Sequence, residues 1–192
     1  MRGIQEIMKK LEWTNIDSYP TTQLPERVDF LYENYYALED LIEEYKENII
    51  AEVIEQKSYN KRSEIGELGV RVCTSLGMSN TTQKKSLEHL SIEEAIDTGY
   101  LTEEFFEYTD DRQMLINKVE CYHEISRDAT FMMSKIKMMK PADRNVIEPY
   151  LLKKKSLNEL AQEMSITYDS AKKRISRIKK KLEANFEEKM AS

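Results

Sequence analysis

The chain has 192 residues, with 29 Lys and Arg against 35 Asp and Glu for a net charge of −6, and only 5 Gly and 4 Pro. That length holds one domain with a real core, or two small ones joined by an extended helix. Scarce Gly and Pro beside abundant Glu, Lys, Leu and Ile is the usage of an all-α protein rather than a sandwich or barrel.

No run of about 18 apolar residues is present for a membrane span. The opening "MRGIQEIMKKLEWTN" lacks the compact apolar core and cleavage site of a signal peptide. A cytoplasmic protein with no membrane partner is expected. Cys73 and Cys121 are too few for a disulfide framework, and a reducing compartment keeps both as thiols.

The charge is unevenly spread. Residues 1–134 carry 14 basic against 27 acidic side chains, a balance of −13, while residues 135–192 carry 15 against 8, a balance of +7. Such charge is commonly no more than a solvated face. It is also what phosphate binding needs, because each neutralised phosphate releases condensed counterions.

In chain order, Ile4, Ile7, Met8 and Leu11 form a short amphipathic stretch, and the two prolines of "SYPTTQLPE" mark a connection. From Glu26 to about Lys57, Val28, Leu31, Tyr35, Leu38, Ile42, Tyr45, Ile49 and Val53 step by 3 and 4, a strong helical pattern that predicts the seam of a coiled coil or helical hairpin. "SYNKRSEIGELGVRV" then breaks it with two glycines. Asn80 or Thr81 is a candidate cap for one or two short helices that stop at Gly99.

"TDD" at 109–111 predicts the cap of a second long helix reaching about Met139, with Leu115, Val119, Tyr122, Ile125, Ala129, Met132, Ile136 and Met139 on one face and Pro141 ending it. The long seams are expected to be core, with homodimerisation through one of them as the alternative. Three segments result: an acidic helical N-terminal region at 1–110, a long connecting helix at 111–140, and a basic C-terminal domain at 141–192.

The last segment holds the pattern that carries function. "ADRNVIE" predicts a brief helix broken or bent at Pro149. In "SLNELAQEM" Ser156 caps a helix with Glu159 three residues on, the S-x-x-E capping box, and Leu157, Leu160, Ala161 and Met164 form its apolar face. "SIT" turns the chain, Ile166 is expected to plug the angle between the helices, and Thr167 caps the helix that starts at Tyr168.

In that helix Ala171, Ile175, Ile178 and Leu182 make one stripe. Stepping about 100° per residue places Asp169, Lys173, Ser176 and Lys180 opposite, flanked by Ser170, Lys172 and Arg177. Two helices joined by such a turn predict a helix-turn-helix whose second helix reads a major groove about 12 Å wide.

"SLNELAQEMSITYDSAKKRISRIKKKL" resembles the promoter-binding module of sigma factors, sigma-70 region four. Ser156, Glu159, Ala161, Ile166, Lys172, Arg174, Arg177, Lys181 and Leu182 fall in register, with Ser170 where Thr is usual. "DRNVIEPYLLKKKS" is similar to the segment before it, so the likeness covers about 45 residues. It departs where Gly gives way to Ser165 and to the Lys153–Lys155 run, and where Pro149 interrupts a helix.

A complete sigma factor would carry a basic, aromatic helix upstream, and residues 26–57 are acidic instead. The plan is more similar to phage-encoded late transcriptional regulators of the ArpU and RinA type. That resemblance implies double-stranded promoter DNA as partner, RNA polymerase as a second partner, and a place near the nucleoid of a bacterial host cell. It implies DNA contacts by Thr167, Tyr168, Asp169, Ser170, Lys172, Lys173, Arg174, Ser176, Arg177 and Lys180. Lys153, Lys154 and Lys155, with Lys179 to Lys181, flank the reading helix and are expected on phosphate.

The competing expectations are a diverged sigma-like factor or polymerase-binding protein, and a phage DNA-packaging or replication adaptor. No enzyme, cofactor or metal site is expected. "CYH" at 121–123 spaces its ligands at i and i+2, which share no helix face, and no phosphate-loop or nucleophile motif occurs. The charge asymmetry adds two expectations. Residues 135–192 bind duplex DNA alone, and removing residues 1–60 leaves that binding while abolishing activation.

Overall fold

The computed structural model describes residues 13–65 and 81–191. The stretch at Ile4–Leu11, the glycines 66 and 69, Cys73 and the Asn80 cap lie outside them. Among the described residues the fold is all-α, with no strand. A 3-10 segment, Trp13–Thr21, precedes α1 (Leu24–Asn34). The 3-10 turn Tyr35–Ala37 leads to α2 (Leu38–Ile65), followed by α3 (Thr81–Thr98), α4 (Glu103–Phe106), α5 (Arg112–Lys137), α6 (Pro141–Leu151), α7 (Leu157–Glu163) and α8 (Tyr168–Ala191). None of these helices is long and apolar enough to cross a membrane.

Residues 26–57 fall in two helices separated by the 3-10 turn Tyr35–Ala37. The Asn34 amide donates to the Phe30 carbonyl at 2.8 Å, closing the last turn of α1 from its own side chain. Asn competes with the helix ladder in this way, and the chain tightens into a 3-10 turn before α2. Within α2 the helix runs on to Ile65, past the break expected from Ser58 onward. Pro25 lies in the first turn of α1, where a missing N–H is harmless.

The chain divides into two compact units, residues 1–40 with 124–192, and residues 41–123. They cut differently from the segments drawn at 110 and 140. Charge follows the units: residues 41–123 carry 9 basic against 17 acidic side chains, a balance of −8, which leaves the other unit at +2.

In the unit of residues 41–123, Tyr45, Ile49, Ile50, Val53, Ile92, Ile96, Phe105, Leu115 and Val119 are buried. Polar links join its elements. Lys46 pairs with Glu93 at 3.3 Å and Asp97 at 3.5 Å, and Lys57 donates to the Glu104 carbonyl at 2.8 Å. α3 stops at Gly99, whose φ of +70° suits glycine, and a Cβ there would also stand 3.2 Å from His123 Nε2. Asp111 caps α5 as expected, accepting from the Met114 N–H at 2.9 Å. Cys121 is buried.

In the other unit α8 is the central element, packed on by α1, α6 and α7. Ile16 and Tyr19 are buried three residues apart, the period of the 3-10 segment that carries them. Val28, Phe30 and Leu31 of α1, Ile125, Ala129, Met132 and Ile136 of α5, and Val146, Ile147 and Leu151 of α6 complete the core.

Asp128 is 2% exposed. It accepts from the Tyr19 hydroxyl at 3.0 Å and Lys189 Nζ at 2.9 Å, and it pairs with the buried Arg27 guanidinium, which also meets Glu124 at 3.0 Å. These contacts tie the 3-10 segment, α1, α5 and the end of α8 to one carboxylate.

α5 stops at Lys137, close to the expected end and before Pro141, which starts α6. One expectation about a helix end changes. α6 continues through Pro149 to Leu151. A proline so near the end forfeits few hydrogen bonds, and its carbonyl accepts from the Lys154 N–H at 2.9 Å.

Candidate nucleic-acid interface

The short helix α7 is fixed at both ends. Ser156 adopts an extended conformation, its Oγ accepts from the Glu159 N–H at 3.3 Å, and Glu159 Oε2 accepts from the Ser156 N–H at 2.7 Å. The capping box is complete. The Ser156 backbone N–H holds the Glu159 carboxyl below the usual range, so the cap stays charged.

At the other end the Ile166 N–H reaches the Ala161 carbonyl at 3.0 Å and the Ser165 N–H reaches Gln162 at 3.0 Å, with Ser165 at φ +53°. This is a Schellman ending. α6 ends the same way, with Lys154 bonded to Pro149, Lys153 to Tyr150, and Lys153 at φ +52°. Both left-handed residues fall where the sigma-like pattern would offer Gly and this chain does not. Replacing Ser165 by Gly is therefore expected to stabilise the protein by about 0.5–1 kcal/mol, the left-handed penalty less the entropy of glycine. A thermal melt of the variant that fails to rise above wild type would contradict this.

Thr167 caps α8, its Oγ1 accepting from the Ser170 N–H at 3.3 Å. Ile166 is 37% exposed and does not plug the angle between the helices. The Schellman bonds fix that angle from the backbone, and the buried Leu160, Ala161 and Ala171 fill it. Along α8 the buried stripe is the expected Ala171, Ile175, Ile178 and Leu182, extended by Phe186, which packs edge-on to Phe131 with centroids 4.8 Å apart. α8 thus runs to Ala191, past Leu182, the last residue of the stripe expected from the sequence.

Contacts sort the basic side chains of α8 from Lys172 to Lys181 into two groups. Arg174 donates to the Ala142 carbonyl at 2.7 Å and pairs with Asp143 at 3.5 Å, and Lys181 pairs with Asp143 at 3.2 Å. Lys181 and then Arg174 hold the Asp143 carboxyl below its ordinary range. Lys179 pairs with Asp29 of α1. These three brace the fold, so Arg174 is brought away from the other expected DNA contacts.

The second group is Lys172, Lys173, Arg177 and Lys180. All four are exposed, and none forms an ion pair within the described residues. With Asp169 and Ser176 they line one continuous shallow face. Thr167, Tyr168 and Ser170 are exposed at its N-terminal end. Among the loop lysines, Lys154 is exposed, Lys153 lies 3.3 Å over the Tyr36 ring, and Lys155 pairs with Glu163.

Four uncompensated cations within nine residues of one rigid helix make a surface for a polyanion. Residues of α1 beside it, Tyr32 and Asn34, were not foreseen, because a helix more than 130 residues away in sequence carries no local signal of where it docks. No family model matches this chain, and no curated protein or solved structure matches it.

Proposed function

We propose that the protein is a sequence-specific DNA-binding regulator of transcription whose α7 supports α8 in the major groove. It activates late genes of a phage or prophage together with the host RNA polymerase. The observation that carries this reading is the set of unpaired cations, Lys172, Lys173, Arg177 and Lys180, around Ser176 on the exposed face of a braced helix. Their spacing supplies donors for base edges in the middle of α8 and charge for phosphate at its flanks. The likeness of residues 141–182 to sigma region four supports the promoter as target.

The unit of residues 41–123, at −8, is repelled by DNA and suits protein contact, with polymerase or a second copy as its partner. One reading helix selects too few base pairs for a genome, since each contributes about 1–3 kcal/mol of discrimination. A second contact is therefore part of the proposal.

The test is selection of duplexes from a random pool by the full chain, followed by affinity measurements on the selected site. Replacing Lys173 or Arg177 by Ala is expected to cost about 1–3 kcal/mol and relax preference at one or two positions. A pool that yields no preferred sequence would defeat the sequence-specific reading.

A further inference from the structure

The cationic face of α8 continues into a groove of 1030 Å³ within the same compact unit, bounded by the end of α1, the loop between α6 and α7, and α8. Lys153, Lys154, Lys155, Lys172 and Lys179 line it, against Glu33 and Glu159. Glu159 is committed to the capping box of α7. Lys172 and Ser176 belong to both the groove and the exposed face, so one extended ligand can touch both.

The α1 wall contributes Tyr32. This side chain is 9% exposed, and its hydroxyl has no hydrogen-bond partner among the described residues. Burial pushes the hydroxyl well above the ordinary tyrosine range, which keeps it a donor. A buried donor left unpaired destabilises the free protein and marks a place where something else completes the bond. The Lys179 ammonium, paired with Asp29, lies 5.2 Å over the Tyr32 ring, so a ligand that reaches the hydroxyl exchanges that ion pair for its own.

We propose that this groove seats the phosphate backbone of the duplex bound by α8, with Lys153 and Lys154 neutralising phosphates and the Tyr32 hydroxyl donating to a phosphate oxygen. α1 is thereby part of the DNA-binding surface. The inference rests on the reading of α8 as the DNA-contacting helix. An acidic protein segment has the right charge for the groove but would have no reason to share Lys172 and Ser176 with the face of α8.

The experiment uses the full chain, a mixed-sequence duplex of about three helical turns, and fluorescence anisotropy over a series of KCl concentrations. Replacing Lys153 and Lys154 together by Gln is expected to lower the slope of log affinity against log salt by about 0.9 for each phosphate that is no longer neutralised. Tyr32→Phe carries no charge change. It is expected to weaken binding about five- to tenfold with the slope intact, while the melting temperature of the free protein does not fall.

An unchanged slope in the lysine variant, or unchanged affinity in Tyr32→Phe, overturns the proposal. Wild-type protein that ignores the duplex at low salt defeats the α8 reading itself, a distinct outcome. Binding of polyglutamate to wild type, lost in the lysine variant, that leaves the bound duplex in place would assign the groove to an acidic protein segment and overturn the proposal.

Discussion

Removing residues 1–60 is expected to unfold the C-terminal unit and abolish duplex binding, contrary to the expectation drawn from charge alone. The deletion takes away Tyr19, Val28, Phe30, Leu31 and Tyr32, all buried in that unit. At about 1.5–3 kcal/mol for each fully buried large side chain, the destabilisation is on the order of 10 kcal/mol. That equals the whole stability of an ordinary domain, about 5–15 kcal/mol. Circular dichroism melts of the fragment 61–192 and of the full chain check this. A fragment that melts cooperatively at the full-length temperature would show that α1 is dispensable.

The second large effect is expected at Asp128. Arg27 is 4% exposed and faces that carboxylate, so Asp128→Ala leaves a buried guanidinium with Glu124 as its remaining ion-pair partner and a buried tyrosine hydroxyl with nothing to donate to. Breaking one side of a buried pair costs about 3–5 kcal/mol. Lys189 meets the same carboxylate from a partly exposed position, and Lys189→Ala should cost under about 1 kcal/mol. Urea denaturation of both variants distinguishes the two. Equal, small losses would mean that the buried cluster contributes little.

Local chemistry was legible in the sequence, and long-range packing was not. The Ala171, Ile175, Ile178, Leu182 stripe could be read because burial on a helix leaves a period of 3 and 4 in the residues themselves. Ser156 with Glu159, Thr167 and Asp111 were legible as caps for the same reason: each acts within one turn of its own position. The break at Tyr35–Ala37 was hidden because apolar residues keep their 3,4 steps across it, while the event that ends α1 is a single Asn34 hydrogen bond.

The left-handed turns at Lys153 and Ser165 were hidden because neither residue advertises positive φ as glycine does. Arg174 looked like a DNA contact because it falls in register with the sigma-like pattern, which gives a position but not a partner. Its partners, Ala142 and Asp143, lie in another helix. The charge asymmetry between residues 1–134 and 135–192 misled in a related way. Folding brings the acidic Asp29 against Lys179, so the boundary that matters runs between compact units and not along the chain.

Under the proposed function the unpaired cations of α8 bind duplex DNA. The most direct measurement is the affinity of the full chain for a duplex from about 50 to 200 mM KCl, beside a variant with Lys172, Lys173, Arg177 and Lys180 replaced by Gln. Wild type is expected to show a linear fall of log affinity with log salt, and the variant a slope smaller in magnitude by about 0.9 for each of those cations that meets a phosphate. Binding by wild type and variant with the same affinity and the same slope would contradict it.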